Sequence, residues 1–188
     1  MLKVYLAGEI HTDWRDEIIE DCKKQNLDIQ FSSPVTDHAS SDDCGVEILG
    51  TEEKNFWKDR KGANINSIRT KKSIKDCDVI IVKFGEKYKQ WNAAFDAGYA
   101  AALNKSIIII HNEEHQHALK EVDAAAAAVA SDQKQAVRIL KYVLQGTLKK
   151  LNSNYFLRTY KKIKLNIFSK MVYYLYCSNS APMTLVLD

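Results

Sequence analysis

Four short apolar runs constrain this chain more than anything else in it: LKVYLAG at residues 2–8, DIQFSS at 28–33, DVIIVKF at 78–84 and SIIIIH at 106–111. Each is too short for a buried helix and carries β-branched or aromatic residues, so each reads as a strand. Several are apolar at consecutive positions rather than alternate ones. Such strands are buried on both faces, which requires helices on both sides of the sheet and hence parallel pairing. The segments between them are charged and spaced as helices. The expected fold class is therefore α/β, a doubly wound parallel sheet.

The helical segments can be placed roughly. Residues 12–25 put Trp14, Ile18, Ile19 and Cys22 at helical spacing. Residues 63–76 predict a second helix, with Ile65, Ile68 and Ile74 read as one side. Residues 88–103 predict a third. Pro34 ends the second strand, and the polar stretch 34–61, with Asp37, His38, Ser40, Ser41, Asp42 and Asp43, reads as a long irregular connection of the kind that often carries function. The alanine run near 123–130 favours helix by propensity. Its place in the alternation favours a fifth strand at 126–130, followed by a helix over 131–144 that Gln145-Gly146 stops.

Charge divides the chain in two. Residues 1–147 hold 20 Lys/Arg against 23 acids, a net of −3, whereas 148–188 hold seven Lys/Arg and one acid, a net of +6. The domain is thus expected to span 1–147, with 148–188 a basic, loosely ordered C-terminal extension. An acidic body gives no electrostatic case for nucleic-acid binding. No stretch reaches the roughly 18 apolar residues of a membrane span, and the opening run is too short for a signal peptide. Cys22, Cys44, Cys77 and Cys177 form no C-x-x-C pair, so free thiols in a reducing cytoplasm are expected.

Ligands of open parallel sheets bind beyond the carboxyl ends of the strands. That rule selects Gly8-Glu9-Ile10-His11, residues 32–43, residues 85–92 and residues 111–117. Asp96 joins them from the helix after the third strand, in WNAAFDAGYAAALNK. There Asn92, Asp96 and Tyr99 fall at i, i+4 and i+7, a polar stripe among alanines. Burial would raise the pKa of Asp96 and the helix dipole would lower it. Whether it is a reactive carboxylate or only a favourable helix residue is open at this level. His115 and His117 beside Glu113 and Glu114 lack metal-ligand spacing, so neither a metal nor another cofactor is expected. Trp14, Tyr88 and Trp91 offer stacking surfaces, although such aromatics are more often core.

The segments VYLAG, CDVIIVKFGEKY and DAGYAAALNKSIIII resemble the nucleoside 2-deoxyribosyltransferase superfamily, and YLAGEIH and GEKYKQWN resemble its YtoQ-type branch. The resemblance runs over about residues 1–147. It implies a flavodoxin-like sheet of about five strands in the order 2-1-3-4-5. It also implies cleavage of the N-glycosidic bond of a deoxynucleoside or nucleotide through a covalent carboxylate intermediate, with pockets often completed by a second subunit. By position, Asp96 takes the nucleophile's place, and Tyr5 and Gly8 shape the sugar and base pocket. The family's usual Glu is Asp here. Gln90 and Thr70 stand where two partner acids are customary, so Glu9, Glu86 and Asp42 become the substitute acids. His11, Asp42, Arg69, Gln90, Trp91, Asn92 and Tyr99 complete the substrate-binding candidates, with Arg69 suited to a phosphate or carboxylate. The expected partner is a small nucleoside or nucleotide, bound by a homo-oligomer without nucleic acid or membrane. A module that binds such a ligand without turnover is the alternative.

Overall fold

Each apolar run finds parallel neighbours, as burial on two faces requires. The computed structural model describes residues 1–86 and 90–147, apart from the side chain of His38. Residues 148–188, including the basic extension, and Tyr88 lie outside the described residues. In chain order the elements are β1 (Leu2–Gly8), α1 (Trp14–Lys24), β2 (Ile29–Ser32), α2 (His38–Asp42), α3 (Cys44–Leu49), α4 (Asn55–Asp76), β3 (Val79–Lys83), α5 (Trp91–Ala102), β4 (Ser106–Ile110), α6 (Lys120–Ala124), β5 (Ala128–Ala130) and α7 (Gln133–Gln145). A short 3-10 turn, Glu113–His115, follows β4. The five strands are all parallel in the order β2-β1-β3-β4-β5.

Alternation along the strands divides the core into two layers. Val4, Leu6, Val79, Ile81, Ile108 and Ile110 face one side, where Trp14 and Ile18 of α1 and Val137 and Leu140 of α7 close over them. Tyr5, Ala7, Ile80, Val82, Ile107 and Ile109 face the other, under Ile74 of α4 and Ala93, Ala97 and Ala100 of α5. Fully burying each Ile or Leu is worth about 1.5–3 kcal/mol. The four isoleucines of β4 therefore anchor both layers at once. Trp14 is wholly buried and belongs to this core.

Three expectations need correction. Residues 34–61 are not irregular: they hold α2, α3 and the first turns of α4, which begins at Asn55 rather than at 63. The helices are packed backbone to backbone, since a Cβ on Gly45 would stand 2.3 Å from the Gly62 nitrogen. Asn66 Nδ2 also donates to the Ser41 carbonyl at 2.9 Å and fastens α2 to α4. Ile68 does not share a face with Ile74: it is 71% exposed, whereas Ile74 is buried. Six residues at 3.6 per turn leave the two about 120° apart. The alanine run splits between α6 and β5, and the strand is shorter than the sequence suggests. Among the described residues no helix is long and apolar enough to cross a membrane.

Candidate active site

The carboxyl end of β1 is the floor of the site. Gly8 adopts φ +99, a conformation that glycine tolerates and residues with a Cβ rarely do. The turn brings Glu9 against β3, where its N–H donates to the Lys83 carbonyl at 2.9 Å. Arg15, only 7% exposed, reaches back from α1. Its guanidinium donates to the carbonyls of Leu6 (3.1 Å), Gly8 (3.0 Å) and Glu9 (2.5 Å) and lies 4.6 Å from the centre of the Trp14 ring. Burial lowers the Arg15 pKa, and the nearby charge of Glu9 opposes that shift. Trp14 Nε1 donates to the same Glu9 carbonyl at 2.7 Å.

Glu9 itself is committed to this turn. It is 5% exposed, and its carboxylate accepts from the His11 N–H and from Thr12 Oγ1. The carboxylate thus closes the β1–α1 loop. Arg15→Met should lower unfolding free energy by about 2–4 kcal/mol, because two buried carbonyls and one part-buried carbonyl lose a charged donor. Urea denaturation checks this, and a change within error would show that water replaces the guanidinium.

The second wall is the turn after β3. Gln90 precedes α5, and its Oε1 accepts from the Gly85 N–H at 2.8 Å. Its Nε2 is buried without a partner among the described residues. Glu86 is exposed and accepts from Asn112 Nδ2, which joins this turn to the end of β4.

Asp96 lies above this floor on α5, partly buried beside the inward alanines Ala93, Ala97 and Ala100. Desolvation raises its pKa from 3.8 to about 6. Tyr5 of β1 is fully buried, and its pKa is pushed up to about 12, first by burial and further by the Asp96 charge. The Thr70 side chain approaches the Tyr5 hydroxyl from α4 and opposes that rise, but among the described residues no hydrogen bond of good geometry closes on the hydroxyl. Tyr5 and Asp96 thus set a buried hydroxyl and a partly desolvated carboxylate within electrostatic reach of each other.

The other candidates are dispersed around this centre. Tyr99 is partly buried and packs on the same layer of the core. Asn92 is exposed, and Trp91 is 75% exposed. His11 and Asp42 are exposed at the loops after β1 and at the end of α2. Arg69 is exposed and lines a cleft against β2. The structure thus joins Tyr5, Thr70 and Asp96, with Gly8, Glu9 and Gln90 forming the adjoining turns.

Two features escaped the sequence reading. Arg15 is one, since nothing in its local sequence marks it as a buried clamp. The other is the pair formed by His111, at the end of β4, and Asp123 of α6. His111 Nε2 lies 3.0 and 3.2 Å from the two Asp123 carboxylate oxygens, and Nδ1 lies 2.7 Å from the Asn112 carbonyl. The pair ties α6 to the ligand end of the sheet. Its signal was the position of His111 just past a parallel strand. Among the described residues no group of three or more His, Cys, Asp or Glu is placed to hold a metal.

Comparison with known proteins places this geometry in context. The family model described as Nucleoside 2-deoxyribosyltransferase YtoQ matches residues 5–144. The Bacillus subtilis (strain 168) protein described as "Uncharacterized protein YtoQ" is 44% identical over 142 residues, covering 76% of this chain and 96% of that protein. Among solved structures, a conserved protein from Enterococcus faecalis V583 has a TM-score of 0.55 at 13% identity. The match covers 77% of this chain and 99% of that one and speaks to the fold alone.

Proposed function

Because this chain belongs to the nucleoside 2-deoxyribosyltransferase YtoQ family, we propose that it acts on the N-glycosidic bond of a deoxynucleoside or nucleotide with Asp96 as nucleophile. The observation that carries the reading is the partly desolvated Asp96 carboxyl, raised to about 6, within electrostatic reach of the buried Tyr5 hydroxyl. At neutral pH most Asp96 is ionised, yet it is poorly solvated and so a better nucleophile than a carboxylate in water. One carboxylate oxygen bonds to C1′ as the C1′–N bond breaks. The base departs with the bonding electrons and takes a proton from solvent or a neighbouring acid. A second base nitrogen, or water, then displaces the carboxylate.

Within this reading Glu9 shapes the floor, because its oxygens are already engaged. Glu86, exposed at the turn after β3, has one oxygen held by Asn112 and keeps the other for proton transfer. Free Cys22, Cys44 and Cys77 fit a cytoplasmic setting. Exposed Trp91 and Phe95 on α5, with Ile68 on α4, offer apolar surface for a homo-oligomer. Light scattering that gives a monomer at micromolar concentration would count against that assembly.

The test is direct. The protein is incubated with deoxynucleosides and their monophosphates, with and without an acceptor base, and free base is followed by chromatography. The wild type should release base and Asp96→Ala should not; identical traces from both would refute the assignment. The rate should also fall about tenfold per pH unit below roughly 6, because attack needs ionised Asp96. A flat profile through that range would remove Asp96 from the chemical step.

One observation favours a second reading, a ligand-binding module without turnover. Gln90 fastens the Gly85 turn where related enzymes place an acid, and the Asp96 side chain is shorter than the customary Glu. Saturable binding of a nucleotide by calorimetry, with no base released, would select it.

A further inference from the structure

A cleft of about 350 Å³ opens between the edge strand β2 and the C-terminal half of α4. Strand and helix periodicity build it together. Lys3 and Tyr5 point to the same side of β1 and register with Gln30 and Ser32 of β2. Both of those β2 residues are exposed. On α4, Arg69, Ser73 and Asp76 fall at i, i+4 and i+7, with Lys72 at i+3, so one polar stripe faces the strand edge.

The charge is segregated. Three cations (Lys3, Arg69 and Lys72) and one acid (Asp76) line the cleft, in a body whose overall balance is acidic. Lys72 spends its charge on Asp76 at 2.6 Å. Arg69 and Lys3 form no side-chain ion pair among the described residues. Ser32 and Ser73 add hydroxyl donors, and Gln30 an amide. A guanidinium fork, an ammonium and two hydroxyls converging on a recess are a phosphate's usual partners. The volume is at the small end of metabolite pockets.

We infer that this cleft is a second binding site, which takes a phosphomonoester of a small metabolite with its phosphate on Arg69 and Lys3. The site is distinct from the Asp96 centre, and the inference does not rest on the activity proposed there. None of its lining residues belongs to α5. Arg69 and Thr70 are consecutive on α4: one lines the cleft while the other approaches the Tyr5 hydroxyl. Asp76 leaves an acceptor for a hydroxyl of the ligand's organic part.

Calorimetry on the full chain at low salt, with ribose 5-phosphate as probe and ribose as control, tests the assignment. Ribose 5-phosphate should bind saturably at one site per chain, and ribose should not bind. Arg69→Gln and Lys3→Gln, both at exposed positions that leave the core intact, should each weaken binding about tenfold. Asp96→Asn should bind as the wild type does. The inference is overturned if no saturable heat appears, if ribose binds equally, if Arg69→Gln and Lys3→Gln match the wild type, or if Asp96→Asn abolishes binding.

Discussion

Asp96→Asn should lower base release by about 10,000-fold, the scale on which loss of a covalent nucleophile is felt, and should make the fold more stable at neutral pH. The two effects share one cause. Burial lifts the Asp96 pKa from 3.8 to about 6. Between those values the folded chain binds more protons than the unfolded chain, so wild-type stability falls as pH rises through that window and levels off above it. A shift of that size corresponds to at most about 3 kcal/mol, and partial exposure reduces it, so a gain of about 1–3 kcal/mol is expected. Asparagine keeps the shape and carries no charge to desolvate. Urea titrations of both proteins at pH 4 and pH 7 read the difference: near equality in acid, a gain for the variant at neutrality. Lower stability of the variant at pH 7 would mean that hydrogen bonds, rather than strain, hold the carboxylate in place.

Gly8→Ala should be the most damaging single-methyl change at the site. The residue sits at φ +99, and an added Cβ would lie 2.1 Å from the Lys83 carbonyl oxygen and 2.9 Å from its nitrogen. Both are backbone atoms of the central strand β3, held in register with β1. No side-chain rotation relieves the clash, so β1 and β3 must separate at their ligand ends. A loss of about 3 kcal/mol or more is expected, from backbone strain and broken pairing together. Gly98→Ala is the matched control: in mid-helix, with nothing within 4 Å of its Cβ, it should stabilise by about 0.5–1 kcal/mol. Equal midpoints for Gly8→Ala and the wild type in urea would show that the turn deforms freely.

The sheet was legible because β1, β3 and β4 are apolar on both faces and no other arrangement buries them. Four consecutive isoleucines at 107–110 leave no polar side for water, and β4 lies where that demands. Even β5, drowned in alanine, was placed by the alternation rather than by propensity. The 34–61 region was not legible. Its helices α2 and α3 have five and six residues, too short to show a period, and they rest on the close approach of Gly45 to Gly62 rather than on an apolar stripe. Ile68 misled because an exposed isoleucine looks like a core one in a list of letters.

At the site, the partial burial of Asp96 was legible from its place on the helix after a parallel strand, among alanines. The roles of Glu9 and Arg15 were not, because hydrogen bonds to backbone carbonyls leave no pattern in the sequence. Glu9 read as a spare acid, yet its oxygens are taken by the His11 N–H and by Thr12.

The Arg15 clamp also bears on the order in which the site is expected to assemble. Its carbonyl partners Leu6, Gly8 and Glu9 lie within nine residues of it along the chain, as does the Trp14 ring. Contacts so near in sequence close quickly and at little entropic cost. The Glu9–Lys83 bond, by contrast, must wait for a loop of more than seventy residues to be drawn in. The first strand, its turn and the first helix are therefore expected to close early and to carry the floor of the site ready-made, which high φ-values for substitutions at Trp14 and Ile18 would check. The wall bearing Asp96 is expected to dock onto it afterwards.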